Sequence, residues 1–389
     1  MTEPTAPRLD IVQQDQPQTS ALGPVADDWS AIQVWLDVLA SRPVSPATLD
    51  TYGREVRRLR WYCDTQGAPP PSRWSYQDVL RYGEFLANKA AHNVCPKGVR
   101  HGQEGWTPFR KALSLSAVAD ARKVLNTLYA FLLNAGYMRH NPCGGQGGAR
   151  RRRGASPSRR ALPPHLVSKV IEELEARPKR SVQEHLAYHR DRFAFVLLLK
   201  TGIRAHEAVA ANMGDIEPRT DPDNGRVYWA LRLRTQKGGG EGSAWLDFSV
   251  IEELQRYRNA FGLPSMPDAN EDLGLILSPR TRASSGGGNA RVRRRAGAWQ
   301  VIRSRQAIYN IVKNLFLATR SRLLSDGDSG SAGLLERAST HWLRHTRSTQ
   351  LVLSHDIRLV AKVMRHADIR TTMAYTDLEF FDVARTLNR

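Results

Sequence analysis

The chain has 389 residues, 41% of them hydrophobic and 24% charged, so it is long enough for two domains and apolar enough to bury a core. Lysine and arginine outnumber aspartate and glutamate by 57 to 38, and the resulting net charge of +19 indicates a polyanionic partner such as nucleic acid. The pattern excludes a membrane span and a secretory signal, and three widely spaced cysteines exclude a disulfide framework and a zinc cage. We therefore expect a soluble protein of a reducing compartment.

The first part of the chain predicts a helical domain. Residues 1–26 carry too few apolar side chains to pack and are expected to form a flexible arm. Over residues 27–141, apolar side chains recur every three or four positions without strand-like alternation, which predicts four amphipathic helices. Ser45 before Pro46 is typical of a helix start, because serine caps the helix and proline is tolerated in its first turn. We assign residues 27–143 to an all-α domain.

The composition changes at residues 144–161, which we interpret as a basic linker. Glycines open this stretch and the arginine run 150–153 follows, and nothing in it can pack into a core. Two roles stay open for the linker: a solvated tether, or a strap that lies along a phosphate backbone. The two roles are compatible.

Residues 162–389 predict a mixed α and β domain. A buried helix is expected at 193–200, and the segments 227–234 and 244–248 around a glycine turn predict a β-hairpin. Further helices are expected at residues 250–261, 304–323, 340–353 and 357–364. Between Pro279 and Arg303 the chain carries an insertion rich in glycine, serine and arginine, and this composition predicts a disordered surface loop.

Three short stretches of the second domain combine arginine, histidine and hydroxyl-bearing residues. They are Thr-Gly-Ile-Arg-Ala-His-Glu at 201–207, Thr-His-Trp-Leu-Arg-His-Thr at 340–346, and Arg-His-Ala-Asp-Ile-Arg-Thr-Thr-Met-Ala-Tyr-Thr at 365–376. Their order and spacing resemble the signature of the tyrosine recombinases, the phage integrase family. In that family an arginine follows a Thr-Gly turn, a His-x-x-Arg-His box comes later, and a last histidine precedes the tyrosine by nine residues, as His366 precedes Tyr375 here. The resemblance extends over residues 44–378.

The resemblance implies a fold and an activity. The fold is a two-domain, mainly α protein with an N-terminal all-α core-binding (SAM-like) domain and a mixed α+β catalytic domain. The activity is site-specific recombination, in which double-stranded DNA is cleaved and rejoined through a 3′-phosphotyrosyl intermediate and a Holliday junction, without metal, ATP or another cofactor.

The resemblance also implies partners and a location. It implies a homotetramer on two DNA sites, assembled from a protein that can be monomeric when free. Accessory DNA-bending or directionality proteins are compatible with this assembly. Together with the cysteine usage, the resemblance implies a bacterial cytoplasmic, nucleoid-associated protein without a membrane partner.

Roles for single residues follow from the same resemblance. Arg204 and Arg344 are expected to hold the non-bridging phosphate oxygens, on which negative charge grows while Tyr375 attacks phosphorus. His341 lies three residues before Arg344, on the same helix face. We expect it to act as general base toward Tyr375 or to donate a hydrogen bond to the phosphate, and the sequence leaves both roles open. His366 is expected to be a second phosphate donor.

Two further residues complete the expected site. Lys237, at the hairpin turn, is expected to protonate the 5′-oxygen leaving group, and Glu207 is expected to orient neighbouring groups. No divalent metal is required, because arginines neutralise the phosphate and no carboxylate cluster accompanies the motifs. One position departs from the family pattern: Arg365 stands where glycine is usual, so we expect an altered turn and an additional phosphate contact there.

Other interpretations remain. His341 and His345 have the spacing of a zinc pair, but Trp342 replaces the glutamate that follows the first histidine in metalloproteases. A type IB topoisomerase uses similar chemistry to relax supercoils without strand exchange, and a non-catalytic DNA-binding protein of the same fold would form no covalent adduct. The 14 residues after Tyr375 include a short apolar set, expected to pack on a neighbouring protomer or to fold back on its own domain.

Overall fold

The computed structural model of the chain describes residues 20–144, 160–234, 242–279, 299–366, 368–373 and 375. The chain divides into two compact units, unit 1 (residues 1–152) and unit 2 (residues 153–389), and each is described by itself. The N-terminal arm, the basic linker, the insertion after Pro279 and the tail after Tyr375 lie largely or wholly outside the described residues. In the described part of the chain, no helix is long and apolar enough to cross a membrane.

Unit 1 is built from helices. The α-helices in its described part are α1 (Asp28–Ala40), α2 (Pro46–Gln66), α3 (Tyr76–Glu84) and α4 (Leu115–Asn134). Helix α3 ends at Glu84, and a π-helical turn at Phe85–Lys89 and a 3₁₀ turn at Ala90–Asn93 follow it. The start of α2 has the expected cap, because Ser45 Oγ accepts a hydrogen bond from the Thr48 N–H at 3.2 Å.

Aromatic side chains dominate the core of unit 1. Trp35, Trp74 and Tyr129 are each at most 2% exposed. Arg58 on α2 is buried as well, since its guanidinium pairs with Glu55 at 2.8 Å. The exposed face of α2 remains basic and carries Arg54, Arg57 and Arg60.

Unit 2 combines helices with two small antiparallel sheets. Its described helices are α5 (Pro164–Glu175), α6 (Val182–Thr201), α7 (Ala205–Ala210), α8 (Phe248–Ala260), α9 (Arg305–Ser325), α10 (Ser329–Arg337), α11 (Thr340–Val352), α12 (Ile357–Val363) and α13 (Ile369–Met373). Its described strands are β1 (Ile216–Thr220), β2 (Val227–Leu233), β3 (Gly242–Leu246), β4 (Leu277–Pro279) and β5 (Trp299–Val301). The predicted hairpin is β2–β3, and β1 adds a third strand in the order β1-β2-β3, while β4 pairs with β5. The predicted fold class is confirmed: the protein is mainly α, with a mixed second unit.

A buried carboxylate anchors the hairpin near its turn end. Asp215 is fully buried, and its Oδ1 accepts hydrogen bonds from Arg234 Nε at 2.8 Å and Arg232 Nη2 at 3.2 Å. The strands pair as far as Leu233 opposite Gly242, and residues 235–241, which include Lys237, lie outside the described residues. Asp215 therefore fixes the end of the strand that leads to Lys237.

Helix α6 runs through the core of unit 2. Phe193, Phe195 and Leu198 are each at most 1% exposed, and the helix packs against α8 and α11. The Phe193 ring stacks on Tyr257 with ring centroids 4.6 Å apart. This packing holds the C-terminal end of α6, where the first of the three motifs begins.

Candidate active site

The first motif lies where α6 ends and α7 begins. Gly202 ends α6 in a left-handed conformation with φ 63°, and Arg204 precedes α7. The backbone N–H and Nη1 of Arg204 donate to the two carboxylate oxygens of Glu207 at 2.7 and 2.9 Å. The Arg204 side chain is 37% exposed and that of Glu207 only 1%. The motif therefore presents one guanidinium to solvent and holds it by a buried carboxylate.

Alanine in place of Gly202 is expected to destabilise unit 2 by about 2–5 kcal/mol. A left-handed conformation costs alanine about 1–2 kcal/mol. A Cβ at this position would also lie 2.7 Å from Met364 Cε, and displacing a packed side chain adds about 1–3 kcal/mol. Gly225→Ala is the control, because Gly225 has a similar φ of 69° and nothing within 4 Å of a Cβ. Urea unfolding measures both variants, and equal losses would show that the Met364 contact adds nothing.

The second motif lies on α11. Lys313 of α9 fixes the start of this helix by donating to the Ala338 carbonyl at 3.1 Å. Arg344 is 3% exposed. Its Nη1 donates to the Gly202 carbonyl at 2.6 Å and its Nη2 donates to the Met364 carbonyl. Arg344 thereby ties the first motif to the turn before the third.

The positive side chains shift one another's pKa values. Burial, followed by the charges of Arg204 and Arg365, lowers the pKa of Arg344 to about 10, so this guanidinium stays protonated near neutral pH. Burial and the neighbouring positive groups also lower the pKa of His366 to about 4 and that of His345 to about 3. Both imidazoles are therefore neutral at neutral pH. Positive charges in this cluster repel one another, and a bound anion reduces the repulsion, so the cluster favours anion binding.

Arg365 occupies the position where the resemblance leads one to expect glycine. Its φ is 53°, so the left-handed turn is kept rather than altered. The guanidinium faces Glu207, 3.5 Å from Oε2, and the Arg365 side chain is 7% exposed. Burial would raise the pKa of Glu207, but the Arg204 amide and the Arg365 charge outweigh it and bring this pKa below its ordinary value. Arg365 thus pairs with a carboxylate in the position where a phosphate contact was expected.

The third motif places Tyr375 beside two histidines. Tyr375 is 3% exposed, and its Oη lies 2.6 Å from His345 Nδ1. The His366 ring lies parallel to the tyrosine ring with centroids 6.1 Å apart, and His366 Nδ1 is 2.8 Å from Thr372 Oγ1. Burial raises the pKa of Tyr375, although the charge of Arg344 acts against it, so the phenol is protonated at neutral pH.

His341 lies at the exposed start of α11. It contacts the His345 ring, with centroids 4.3 Å apart and an interplanar angle of 75°. Partial burial, followed by the charges of Arg344 and Arg204, lowers its pKa. It is His345 that contacts the phenol of Tyr375, so one member of the pair with zinc-like spacing is engaged there. In the part of the chain that the structure describes, no group of three or more His, Cys, Asp or Glu side chains could hold a metal ion.

Most of the predicted site residues lie in one cluster, which contains Arg204, Glu207, His341, Arg344, His366 and Tyr375. Lys237 lies outside the described residues. Sequence reasoning did not include His345 and the buried pairing of Arg365 in the site. The position of His345 directly after Arg344 in the second motif could have indicated that it belongs to the site. Sequence reasoning considered His345 only as a possible zinc ligand.

Comparisons with known proteins agree with the fold and the motifs. The model of the phage integrase family matches residues 303–380. Tyrosine recombinase XerC of Pseudomonas syringae pv. syringae (strain B728a) is 24% identical over 349 residues, which cover 89% of this chain and 90% of that protein. Tyrosine recombinase XerD of Mycobacterium tuberculosis (strain ATCC 25618 / H37Rv) is 26% identical over 351 residues, which cover 89% and 92%.

A solved structure shows the same fold. The Tn1549 transposon integrase in complex with transposon right end DNA superposes with a TM-score of 0.58 at 16% identity, covering 92% of this chain and 98% of that one. The fold, the order of the three motifs and the family match lead to one class of enzyme. Residues 303–380 match the phage integrase family, and most of the chain is similar to tyrosine site-specific recombinases.

Proposed function

We propose that the chain cleaves and rejoins double-stranded DNA at specific sites, with Tyr375 as the nucleophile and a 3′-phosphotyrosyl bond as the intermediate. The observation that supports this most is the placement of one buried phenol within the arginine and histidine cluster, where the charges of Arg344 and Arg204 act on it. The Tyr375 side chain is the nucleophile in place of an activated water, so the chemistry that we propose needs no metal-bound nucleophile.

In this proposal, two arginines neutralise the phosphate. The Arg204 side chain is 37% exposed, so its guanidinium is accessible to a phosphate oxygen while Glu207 fixes its position. Arg344 is a fork with five N–H donors, two of which bind the carbonyl groups of Gly202 and Met364. Its other donors serve the non-bridging oxygens. Because negative charge grows on these oxygens in the transition state, cations held in place beforehand lower the barrier.

The leaving group takes its proton from Lys237. Attack of the phenol oxygen on phosphorus breaks the bond to the 5′-oxygen, which leaves as a hydroxyl once it is protonated. Asp215 supports this role, since it holds Arg232 and Arg234 just before the segment 235–241, which contains the lysine. The phosphotyrosyl bond conserves the bond energy of the broken phosphodiester. A 5′-hydroxyl of another strand can therefore rejoin the DNA without ATP.

Double-stranded DNA and further copies of the chain are the proposed partners. The Tn1549 integrase structure contains transposon right end DNA, and a lambda integrase structure contains a dimer bound to a core site. In this chain, the net charge of +19 supplies phosphate contacts. Exchange of both strands between two sites needs four tyrosines, hence a homotetramer and a Holliday junction. Accessory DNA-bending or directionality proteins would act on this complex, in a bacterial cytoplasm at the nucleoid.

Covalent adduct formation tests the proposal. The purified chain and Tyr375→Phe are incubated, without metal or ATP, with nicked suicide duplexes taken from the DNA that flanks the gene. We expect an SDS-resistant protein–DNA adduct with the wild type and none with Tyr375→Phe, which removes only the reacting hydroxyl. Gel-shift binding is expected to be equal for the two proteins.

Two other outcomes identify the alternatives. DNA binding by the wild type without any adduct would contradict the proposal and favour a non-catalytic DNA-binding protein of the same fold. Relaxation of supercoiled plasmids by a single bound copy, without strand exchange, would favour a type IB topoisomerase. In that case deletion of residues 377–389 should leave relaxation intact, whereas we expect it to impair recombination.

A further inference from the structure

Tyr375 contacts a histidine that the proposed mechanism does not yet use. His345 Nδ1 lies 2.6 Å from Tyr375 Oη, across 30 residues of sequence. Both side chains are buried, with 7% of His345 and 3% of Tyr375 exposed. A contact of this length between a phenol and an imidazole nitrogen is a formed hydrogen bond. The phenol is also the group that must lose its proton when it attacks phosphorus.

We propose that His345 is the general base that takes the phenolic proton of Tyr375, and that His341 is left to bind the scissile phosphate. This inference rests on the proposed nucleophilic role of Tyr375. The geometry meets the first requirement for a base, which is hydrogen-bond reach of the proton that it removes.

The other two histidines are less suited to this role. His341 is exposed and packs against the His345 ring with centroids 4.3 Å apart, so it supports the base and faces solvent, where a phosphate arrives. His366 has its Nδ1 2.8 Å from Thr372 Oγ1, and its ring lies parallel to the tyrosine ring instead of meeting the hydroxyl. The two roles that the sequence left open for His341 are thereby divided between two residues.

The proton and electron movements of this step balance. The O–H bond of Tyr375 breaks and its proton moves to His345 Nδ1, which becomes an imidazolium. The phenol oxygen forms a bond to phosphorus, the bond to the 5′-oxygen breaks, and Lys237 supplies the proton of that oxygen. In the rejoining step a 5′-hydroxyl attacks the phosphotyrosine and gives its proton back to Lys237, while the imidazolium returns its proton to the phenol oxygen that leaves.

Bound DNA controls the strength of the base. The groups that act on His345 are cationic or neutral: His341 and Arg344 on α11, Arg160 before α5, and His366 after α12. Burial, followed by the effect of these groups, lowers the pKa of His345 to about 3 in the free protein, which disfavours the imidazolium. A phosphate adds negative charge among the same groups and raises this pKa. Tyr375 is therefore activated chiefly where a phosphate is in place.

The test uses the full chain and a nicked suicide duplex from the DNA that flanks the gene, with sulfur in place of the bridging 5′-oxygen at the cleaved phosphate. A thiolate leaves without a proton donor, so the single-turnover rate of adduct formation reports activation of Tyr375 and is independent of Lys237. The variants are His345→Asn, His345→Ala and Tyr375→Phe. His355→Asn is the matched control, because His355 is exposed and lies outside the cluster.

The variants distinguish a His345 that accepts the proton from a His345 that only positions Tyr375. Asparagine can keep a hydrogen bond to the phenol but cannot take its proton, so we expect His345→Asn to form the adduct about 10²–10⁴-fold more slowly, with unchanged gel-shift binding. Added imidazole should restore part of the rate of His345→Ala, and His355→Asn should match the wild type. A wild-type rate for His345→Asn would overturn the inference and leave the proposed function intact. An adduct with Tyr375→Phe would overturn the proposed function itself.

The pH dependence of the wild type decides the question if the variants fold poorly. With His345 as base, the rate on the sulfur-substituted duplex is level between about pH 7.5 and 9, because an imidazole with a pKa at or below about 6.5 is already neutral there. Ionisation of the phenol without a base would instead raise the rate by about tenfold per pH unit. That rise would overturn the inference.

Discussion

Replacing Arg344 with alanine is expected to slow covalent adduct formation by about 10²–10³-fold, the effect of removing one group that faces the developing phosphate charge. The same change is expected to destabilise unit 2, because Arg344 is only 3% exposed and holds the carbonyl groups of Gly202 and Met364. A buried carbonyl that loses its donor costs about 1–3 kcal/mol. Single-turnover adduct formation and urea unfolding measure the two effects.

Arg344→Lys is the matched variant for this prediction. Lysine keeps the charge but lacks the planar fork, so it cannot bind two carbonyl groups and a phosphate oxygen together. We expect the lysine variant to recover only a small part of the lost rate and stability. Full recovery of both would show that a point charge at this position is sufficient.

Replacing Glu207 with alanine is expected to destabilise unit 2 by about 3–5 kcal/mol, the range found when one partner of a buried ion pair is removed. Glu207 is 2% exposed and accepts from both Arg204 and Arg365. Without the carboxylate, the Arg365 guanidinium stays buried with no opposite charge beside it, since its side chain is only 7% exposed. Urea unfolding of the purified variant measures the loss.

The pH dependence of this stabilisation has a defined sign. Burial would raise the pKa of Glu207, but the Arg204 amide and the Arg365 charge lower it below the ordinary value. A carboxyl group with a lowered pKa stabilises the folded state above the unfolded-state pKa of about 4.3, and this contribution is lost as the pH falls through the folded-state pKa. The difference in unfolding free energy between the wild type and Glu207→Gln should therefore be constant above about pH 6 and shrink below about pH 4. A difference unchanged down to about pH 3 would contradict this account of Glu207.

The helices of unit 1 could be predicted because their signals are local. The cap at Ser45 and the repeated apolar spacing act within one or two turns of the chain. The same reasoning overlooked α5, although Pro164 stands in its first turn and its buried residues Leu166, Val170 and Leu174 have helical spacing. The helical signal was therefore present in the sequence and was not used.

The strands outside the hairpin could not be predicted in this way. β1 contains Pro218 and ends in polar residues, which argue against a strand, and its pairing with β2 decides its form. β4 and β5 pair although residues 280–298 separate them in sequence. Pairing over such a distance depends on the folded core and leaves no periodic signal in either short segment.

In the candidate site, too, some features could be predicted from local sequence patterns and others could not. The motif spacing was sufficient to predict that Arg204, Arg344 and Tyr375 belong together. The contact between His345 and Tyr375 spans 30 residues, and that between Arg365 and Glu207 spans 158. Both contacts depend on how buried side chains are oriented by packing, and a one-dimensional pattern does not encode this.

Near the start of unit 2, a hydrogen bond attaches the chain to helix α11. The Leu162 N–H donates to Thr346 Oγ1 at 2.8 Å, and Thr346, which is 1% exposed, follows Arg344 by two residues on α11. The first described residues of unit 2 are therefore joined to α11 by a direct, buried hydrogen bond.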